Sequence, residues 1–191
     1  MTSVRVAVAG GSGYTGAELL RLLSQHPNVQ LTAVTSEKSA GTPVSAVYPH
    51  LQGIVSLTFE ALAPEALAER ADVLFLALPH TKSMGPVASC MKAGKRVIDL
   101  SADFRIKDPR TYETWYQTAH ACPDLIGNAV YGLPELHRSA IAQARLVASP
   151  GCYPTAAILQ LAPLIAHGLI VPGTIVIDAK SGVSGAGRSP A

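Results

Sequence analysis

One cysteine of this sequence is placed where its thiol could act as a nucleophile. Cys152 lies in the segment PGCYPT, between a predicted strand and a long apolar helix. Because Pro154 suits the first turn of a helix, Cys152 is predicted at or just before the helix N-terminus. The helix dipole favours a thiolate there, and a thiolate is the form of cysteine that attacks a carbonyl carbon. We therefore interpret Cys152 as a catalytic nucleophile, with Gly151 leaving room for a substrate.

The other two cysteines lack such a setting. Cys90 lies among small residues of a predicted helix and Cys122 stands beside Pro123 in a loop, so both are interpreted as structural. Three separated cysteines, without a CxxC pair or the spacing of a zinc site, predict neither a disulfide framework nor a metal site. This cysteine usage is typical of the reducing cytoplasm, and we expect no export signal.

A glycine-rich turn near the N-terminus could hold a phosphate group. It follows a predicted strand, opens a predicted helix and fits the spacing G-x-G-x-x-G. Glycine lets the backbone turn sharply and approach a pyrophosphate, whose charge the free N–H groups and the helix dipole stabilise. The alternative is a tight strand–helix turn without a ligand. The residues interpreted as a dinucleotide site are Gly10, Gly11, Ser12, Gly13, Tyr14, Thr15 and Gly16.

The end of the second predicted strand indicates which dinucleotide is bound. A site that prefers NAD places Asp or Glu there to accept a hydrogen bond from the ribose 2′-OH. This sequence has Thr35, Ser36 and then Lys38, and a hydroxyl with an ammonium group suits a 2′-phosphate. We therefore predict NADP as the cofactor, bound partly by Ser36 and Lys38. Glu37, the acidic residue between them, argues against this prediction of NADP. The alternative interpretation is an ordinary polar loop that contacts no cofactor.

The surrounding pattern predicts the elements that position these residues. Short apolar runs alternate with segments of helical periodicity, which is typical of a Rossmann-type, doubly wound parallel α/β sheet. Strands are predicted at residues 4–9, 29–35, 72–78, 96–100, 144–149 and 174–178. Helices are predicted from the glycine turn to near Pro27 and at residues 64–70, 84–93 and 154–166. Residues 36–53 are predicted to be a loop, and residues 101–143 have a mixed pattern broken by prolines.

Composition limits the classes of partner. With 191 residues, the chain is long enough for about 1.3 domains of average length. A net charge of +2 does not predict nucleic acid binding. The longest apolar stretch, residues 156–171, is interrupted by Gln160, Pro163 and His167, so no membrane span is predicted. Only 15% of the residues are charged, which predicts that another subunit or missing chain covers part of the apolar surface.

A dinucleotide fold combined with an activated cysteine predicts chemistry at an aldehyde or acyl carbon. A thiol can add to an aldehyde, and hydride transfer then gives a thioester that phosphate releases as an acyl phosphate. Run in reverse, this reaction reduces an acyl phosphate. Five segments carry a more specific resemblance: GGSGYTGAELLRLL, DLSADFR, GLPE, PGCYPT and SGVSGAGR. With these segments the whole sequence resembles the N-acetyl-γ-glutamyl-phosphate reductases of arginine biosynthesis.

The resemblance implies NADP-dependent reductive dephosphorylation of N-acetyl-γ-glutamyl phosphate to N-acetylglutamate 5-semialdehyde, with Cys152 as the nucleophile. It also implies that Ser184 and Gly185 lie near the nicotinamide. Arg105 is the candidate for binding a substrate carboxylate or phosphate, since a guanidinium binds either one in bidentate fashion. A salt bridge of Arg105 with Asp103 or Asp108 is the alternative. The expected partners are this substrate, inorganic phosphate and further copies of the chain.

Members of that family are considerably longer, and the resemblance implies an acid–base histidine beyond residue 191. We therefore expect a fragment that is inactive alone: an NADP-binding domain at residues 1–150, and the truncated start of an α+β catalytic and dimerisation domain at residues 151–191. His80, at the end of the clearest strand, is expected to line the cofactor site. Two rival interpretations stay open. One is a reductase for a related acyl phosphate, such as the aminoadipyl phosphate of lysine biosynthesis, and the other is a non-catalytic module that senses NADP.

Overall fold

A parallel β-sheet forms the centre of the protein. The structure is a computed structural model that describes residues 3–188. Every neighbouring pair of strands runs parallel. The seven strands are β1 (Val4–Ala9), β2 (Val29–Thr35), β3 (Phe59–Glu60), β4 (Val73–Leu76), β5 (Arg96–Asp99), β6 (Ala129–Tyr131) and β7 (Leu146–Ala148). Their order across the sheet is β3-β2-β1-β4-β5-β7-β6, so the first strand of the chain lies in its interior.

Helices and short turns connect these strands. Three single 3₁₀ turns occur at Pro49–Leu51, Pro172–Thr174 and Val183–Ala186. The α-helices are α1 (Tyr14–Ser24), α2 (Val44–Val47), α3 (Pro64–Arg70), α4 (Met84–Lys92), α5 (Pro109–Tyr116), α6 (Pro123–Ile126), α7 (Pro134–Gln143) and α8 (Cys152–Ala166).

Two apolar cores lie on opposite faces of the sheet, because parallel strands carry apolar side chains on both faces. One core contains Val8 and Val34 from the strands, with Leu20 of α1 and Phe59 packed against them. The other core is larger and receives side chains from α3, α4, α5 and α6. The predicted doubly wound parallel α/β fold is confirmed by this arrangement.

The structure differs from the sequence-based expectation in several connections. Residues 36–53 are not all loop, since they contain α2 and the turn at Pro49–Leu51. The mixed region 101–143 contains α5, α6, β6 and all of α7. The strand predicted at 72–78 is shorter, at Val73–Leu76, and the helix predicted from Pro154 already begins at Cys152.

The strand predicted at residues 174–178 is wrong. Thr174 closes a 3₁₀ turn, and residues 175–178 have no strand pairing in the part of the chain that the structure describes. A β-strand requires a neighbour to complete its hydrogen bonds, and apolar composition does not supply one. Val176 is accordingly 90% exposed. Between residues 3 and 188, no helix has the length and hydropathy needed to cross a bilayer.

Candidate active site at the carboxyl edge of the sheet

Four connections leave the carboxyl ends of neighbouring strands at one edge of the sheet. β1 pairs with β4, β4 with β5 and β5 with β7, and all of these pairs are parallel. The glycine turn follows β1, residues 77–83 follow β4, residues 100–108 follow β5, and Cys152 comes soon after β7. Ligands of open α/β sheets bind outside the carboxyl ends of the strands. This edge is therefore the candidate site.

The side of the glycine turn that faces the sheet is tightly packed. Gly10 has a φ of +76°, which favours glycine, and a Cβ there would lie 2.4 Å from the Ala77 carbonyl oxygen. A Cβ on Gly16 would lie 2.4 Å from the Gly11 carbonyl oxygen, so α1 approaches the turn closely only because Gly16 has no side chain. Gly11 donates its N–H to the Thr35 carbonyl at 2.8 Å, which ties the turn to the end of β2.

The opposite side of the turn is open and fits an anion. A Cβ on Gly13 would meet nothing within 4 Å, so the backbone here is free to approach a ligand. Gly13 is the N-cap of α1 and the first turn of the helix contains no acidic residue. Tyr14 and Thr15 are exposed at that helix start. Since the first N–H groups of a helix lack partners within the helix, this geometry fits a pyrophosphate.

A cleft of about 910 Å³ extends from the glycine turn along the ends of β2 and β3. Its polar wall includes Ser12, Ser36 and Lys38, three of the residues predicted to bind the cofactor. The Ser36 hydroxyl donates to the Ser12 hydroxyl at 2.7 Å and accepts from the Ser39 N–H at 3.2 Å. Ser36 is buried, so it connects the glycine turn with the end of β2, whereas Lys38 is exposed. The Ser12 hydroxyl keeps its own proton for a ligand.

The cleft contains features that sequence reasoning missed. Lys82, in the turn after β4, brings a second ammonium group to the lining of the cleft. An apolar wall formed by residues from α3, α4 and the connection before α3 suits the flat face of a nucleotide base. These residues are Leu62, Pro64, Leu67, Pro86 and Cys90. Lys82 carries no motif, and only the pairing of β4 with β1 brings it to the site.

Tyr48 fixes the glycine turn from the connection that follows β2. Its hydroxyl is positioned to donate to the Gly13 carbonyl at 2.9 Å and to the Gly11 carbonyl at 3.2 Å. The ring is buried, which raises the pKa of the phenol, while the Arg188 guanidinium, 5.4 Å above the ring centroid, acts in the opposite direction. Arg188 also donates to the Ser12 carbonyl at 3.2 Å. The segment SGVSGAGR therefore reaches the glycine turn through Arg188.

Replacing Tyr48 with phenylalanine is expected to loosen this turn without unfolding the protein. Loss of one hydrogen bond costs about 1 kcal/mol, which corresponds to roughly 2–4 °C in melting temperature. We expect a fall of that size, together with a several-fold weaker affinity for NADPH measured by calorimetry. Tyr116→Phe, which removes a hydroxyl from α5, is the matched control and should change neither quantity. Equal affinities of the two variants for NADPH would contradict the assigned role of Tyr48.

Cys152 is the first residue of α8, and the N-cap is Gly151. Its side chain is exposed, whereas Cys90 is buried and Cys122 is half-buried. Burial raises the pKa of the Cys90 thiol to about 11, and burial followed by the nearby Asp124 carboxylate raises that of Cys122. The helix start that was predicted for Cys152 is thus present, and the other two thiols lie where the thiolate is disfavoured.

Alkylation by iodoacetamide at pH 8 is expected to modify Cys152 first. Only the thiolate reacts, so Cys90, with a pKa of about 11, presents about a thousandth of its thiol in reactive form, and it is also inaccessible. Mass spectrometry of peptides over a time course gives the three rates. We expect the Cys152 rate to exceed the Cys90 rate by at least about a hundredfold. Labelling of all three cysteines at one slow rate would contradict an activated thiol.

Arg105 lies beside the loop of residues 149–151 that precedes Cys152, here called the cysteine loop, and joins this loop to the connection after β5. Its Nε donates to the Ser149 carbonyl at 2.6 Å and its Nη2 to the Leu100 carbonyl at 2.7 Å. A Cβ on Gly151 would lie 3.2 Å from Nη1, so the guanidinium borders the residue before Cys152. Within residues 3–188 Arg105 forms no ion pair.

The alternative of a salt bridge between Arg105 and Asp103 or Asp108 is therefore wrong. Asp103 accepts hydrogen bonds from Thr81, Ser83 and Tyr112, and Asp108 caps the start of α5. Each carboxylate accepts three hydrogen bonds from these donors and none from Arg105, whose own hydrogen bonds go to backbone carbonyls. The remaining Nη1 is the atom available to an anion.

The structure brings together only part of the predicted site. Ser184 and Gly185 lie in the turn Val183–Ala186, whose neighbour Arg188 contacts the glycine turn. Neither residue lines the cleft, and neither do Arg105 and Cys152. The cleft and the cysteine loop are thus separate parts of one edge, with the connections after β4 and β5 between them.

The fold and this edge define a dinucleotide-binding domain followed by a cysteine-bearing helix. A sequence model of the semialdehyde dehydrogenase NAD binding domain matches residues 5–144, and one of the semialdehyde dehydrogenase dimerisation domain matches residues 152–191. The chain therefore belongs to the semialdehyde dehydrogenase family.

Several curated relatives of this sequence share one name. The N-acetyl-gamma-glutamyl-phosphate reductase of Geotalea daltonii is 56% identical over 186 residues, which is 97% of this chain and 54% of that protein. The reductase of the same name from Nitrosococcus oceani is 53% identical over 188 residues, covering 98% of this chain and 55% of that protein. The chain thus spans about half the length of the curated relatives it matches.

Solved structures confirm the fold. An aspartate semialdehyde dehydrogenase with NADP from Candida albicans has a TM-score of 0.62 at 17% identity, covering 87% of this chain and 48% of that one. Aspartate semialdehyde dehydrogenase II from Vibrio cholerae has a TM-score of 0.63 at 19% identity, covering 86% of this chain and 47% of that one.

Proposed function

We propose that this chain is the cofactor-binding and nucleophile-bearing part of an NADP-dependent acyl-phosphate reductase. The substrate we propose is N-acetyl-γ-glutamyl phosphate, and the product is N-acetylglutamate 5-semialdehyde. The observation that carries the proposal is the exposed Cys152 at the start of α8, on the same sheet edge as the glycine turn. The similarity to curated reductases of that substrate supports it.

NADP is the proposed cofactor because the glycine turn and two lysines of the cleft suit its two anionic groups. Two carboxylates, Glu37 and Glu60, also line the cleft, and Glu60 is paired with Arg70. The open side of Gly13 and the start of α1 suit the pyrophosphate, with the Ser12 hydroxyl as an additional donor. Lys38 brings positive charge to the part of the cleft beyond the end of β2, where the 2′-phosphate would be held, and Lys82 brings a second ammonium group from the turn after β4. Ser36 supports this part through its bond to Ser12 rather than as an independent ligand.

Cys152 is proposed to form the covalent intermediate. Its thiolate attacks the acyl carbon, the bond from that carbon to the phosphate oxygen breaks, and inorganic phosphate leaves with the bonding electrons. The product of this step is a thioester on Cys152. Bound NADPH supplies the hydride that brings the acyl carbon to the aldehyde oxidation level. Expulsion of the thiolate from the resulting alkoxide releases the semialdehyde and restores Cys152.

Arg105 is proposed to bind the departing phosphate or the substrate carboxylate through Nη1. Two of its nitrogens are held by the carbonyls of Ser149 and Leu100, so the guanidinium plane is fixed next to Gly151. A fixed guanidinium loses little conformational entropy when it binds an anion. The same bonds hold the loop before Cys152 in place.

The organisation of the complete protein is also a proposal. We place a domain boundary after Pro150, between the NADP-binding domain at 1–150 and a catalytic and dimerisation domain that begins at 151. The match of residues 152–191 to a dimerisation domain supports a homo-oligomer. The three free thiols support the cytoplasm as the location. The acid–base histidine is proposed to lie beyond residue 191.

The test is phosphate-dependent reduction of NADP with N-acetylglutamate 5-semialdehyde, measured on the complete natural polypeptide that carries these 191 residues. We expect turnover that requires both phosphate and Cys152. The same assay with the semialdehyde of aminoadipate measures the rival substrate. Turnover with that compound alone would replace the proposed substrate. NADPH binding without turnover on either compound would favour the non-catalytic module.

A further inference from the structure

The turn after β4 contains a strained residue. Thr81 has a φ of +68°, a left-handed conformation that is unfavourable for a β-branched side chain. Such strain costs on the order of 1–3 kcal/mol and persists only where the surrounding structure enforces it. Strained residues of this kind concentrate at ligand sites, and the mechanism proposed above does not use Thr81.

A buried carboxylate holds this turn in its conformation. Asp103 accepts from the Thr81 N–H at 2.7 Å, from the Ser83 N–H at 2.9 Å and from the Tyr112 hydroxyl at 2.9 Å. Asp103 is completely buried and takes part in none of the ion pairs within the described residues. Its charge is satisfied by these donors, two of which come from the turn itself. The turn is therefore fixed to the connection after β5.

The residue next to Thr81 is held in one tautomer. The Nδ1 atom of His80 accepts the N–H of Ala102 at 3.0 Å, so Nδ1 carries no proton. The ring proton of the neutral imidazole is therefore on Nε2. Tyr116 packs against the ring edge-on, with centroids 5.9 Å apart, while the His80 side chain is exposed. His80 thus presents a fixed N–H donor to the site edge.

His80 follows β4, and the place of β4 in the sheet order indicates which part of a bound dinucleotide this N–H donor contacts. Along the edge, the glycine turn follows β1 and Cys152 follows β7, with β4 and β5 between them. The cleft that suits the adenosine half reaches the ends of β2 and β3 in the other direction, and on the β4 side its lining includes Pro79 and Lys82 but not His80. A dinucleotide with its pyrophosphate at β1 must cross the end of β4 to bring its reactive ring to Cys152. His80 is the residue at that crossing.

We infer that His80 binds the ribose–phosphate unit on the nicotinamide side of the cofactor, with its Nε2–H donating to an oxygen of that unit. Ala102 sets the tautomer, and Asp103 and the strained Thr81 set the position of the ring. This inference rests on the proposed NADP site. It assigns His80 to binding and positioning, and it gives His80 no proton transfer.

The test compares two ligands and three variants in the complete polypeptide. NADPH contains the nicotinamide-side unit, whereas 2′,5′-ADP contains only the adenosine half. His80→Asn keeps an acceptor for Ala102 and removes the Nε2 donor. His80→Gln keeps a donor near the Nε2 position and removes the acceptor. His137→Asn, on the exposed side of α7, is the matched control. Calorimetry gives the affinities and thermal unfolding verifies that each variant is folded.

We expect His80→Asn to weaken NADPH binding by about five- to twentyfold and to leave 2′,5′-ADP binding unchanged, as expected for one lost hydrogen bond to a charged or polar ligand. His80→Gln should retain more NADPH affinity than His80→Asn. Equal losses for both ligands, equal losses in both His80 variants, or no loss would overturn the inference. If neither ligand binds to the unchanged protein, the proposed NADP site itself fails, which is a distinct result.

Discussion

Replacing Cys152 with serine is expected to lower kcat of the complete enzyme by about a thousandfold or more while leaving NADPH affinity unchanged. Removal of a covalent nucleophile produces losses of this size or larger. A serine hydroxyl remains protonated at neutral pH, and the cysteine loop provides no base that would activate it among the residues the structure describes. The cofactor cleft is lined by other residues, so binding of NADPH should be preserved.

Steady-state kinetics and calorimetry on the same preparation measure the two quantities. Cys122→Ser is the matched control, because that thiol is half-buried and lies outside the cysteine loop, and it should keep most of the activity. A Cys152→Ser enzyme with unchanged kcat would exclude the covalent mechanism. Loss of NADPH binding together with activity would show that Cys152 has a structural role instead.

Two glycines of the same turn are expected to respond differently to alanine. At Gly16 a Cβ would lie 2.4 Å from the Gly11 carbonyl oxygen, which is backbone and cannot rotate away. Alanine gains about 1 kcal/mol in helix propensity, but the clash costs up to about 3 kcal/mol, so the net effect is destabilising. At Gly13 a Cβ meets nothing within 4 Å, and the loss at this N-cap stays below about 1 kcal/mol.

NADPH affinity should nevertheless fall at least about tenfold in both variants. Gly16→Ala displaces the backbone of the turn, and Gly13→Ala places a methyl group where a phosphate approaches. Urea unfolding gives the stabilities and calorimetry the affinities. A Gly16→Ala protein as stable as the original would contradict the close packing of α1 on the turn. Unchanged NADPH affinity in Gly13→Ala would show that the pyrophosphate lies elsewhere.

Much of this architecture could be predicted from the sequence, because its signals are local. The apolar run of β1, the glycine spacing and the helix start at Cys152 each depend on a few consecutive residues. Buried parallel strands are nearly continuous runs of apolar residues, and such runs identify β1, β2, β4 and β5 in the sequence. The family resemblance depended on the same continuous segments.

The features that could not be predicted depend on contacts between distant parts of the chain. Strands β3 and β6 have two and three residues and are too short to show a repeating pattern of apolar residues. Tyr48 reaches Gly11 across 37 positions, and Arg105 reaches Ser149 across 44. The strand predicted at 174–178 is wrong because a segment with high β-propensity still needs a neighbouring strand to pair with.

The interior position of β1 also determines when the cofactor turn can form during synthesis. β1 emerges first, yet one of its two neighbours is β4, where Val73 pairs with Val6. Gly10 packs against the Ala77 carbonyl, so the final shape of the turn requires chain that is translated much later. At 5–20 residues per second, that delay is roughly 3–13 s. For this time the nascent chain contains every glycine of the motif but not the folded surface that we propose binds a phosphate.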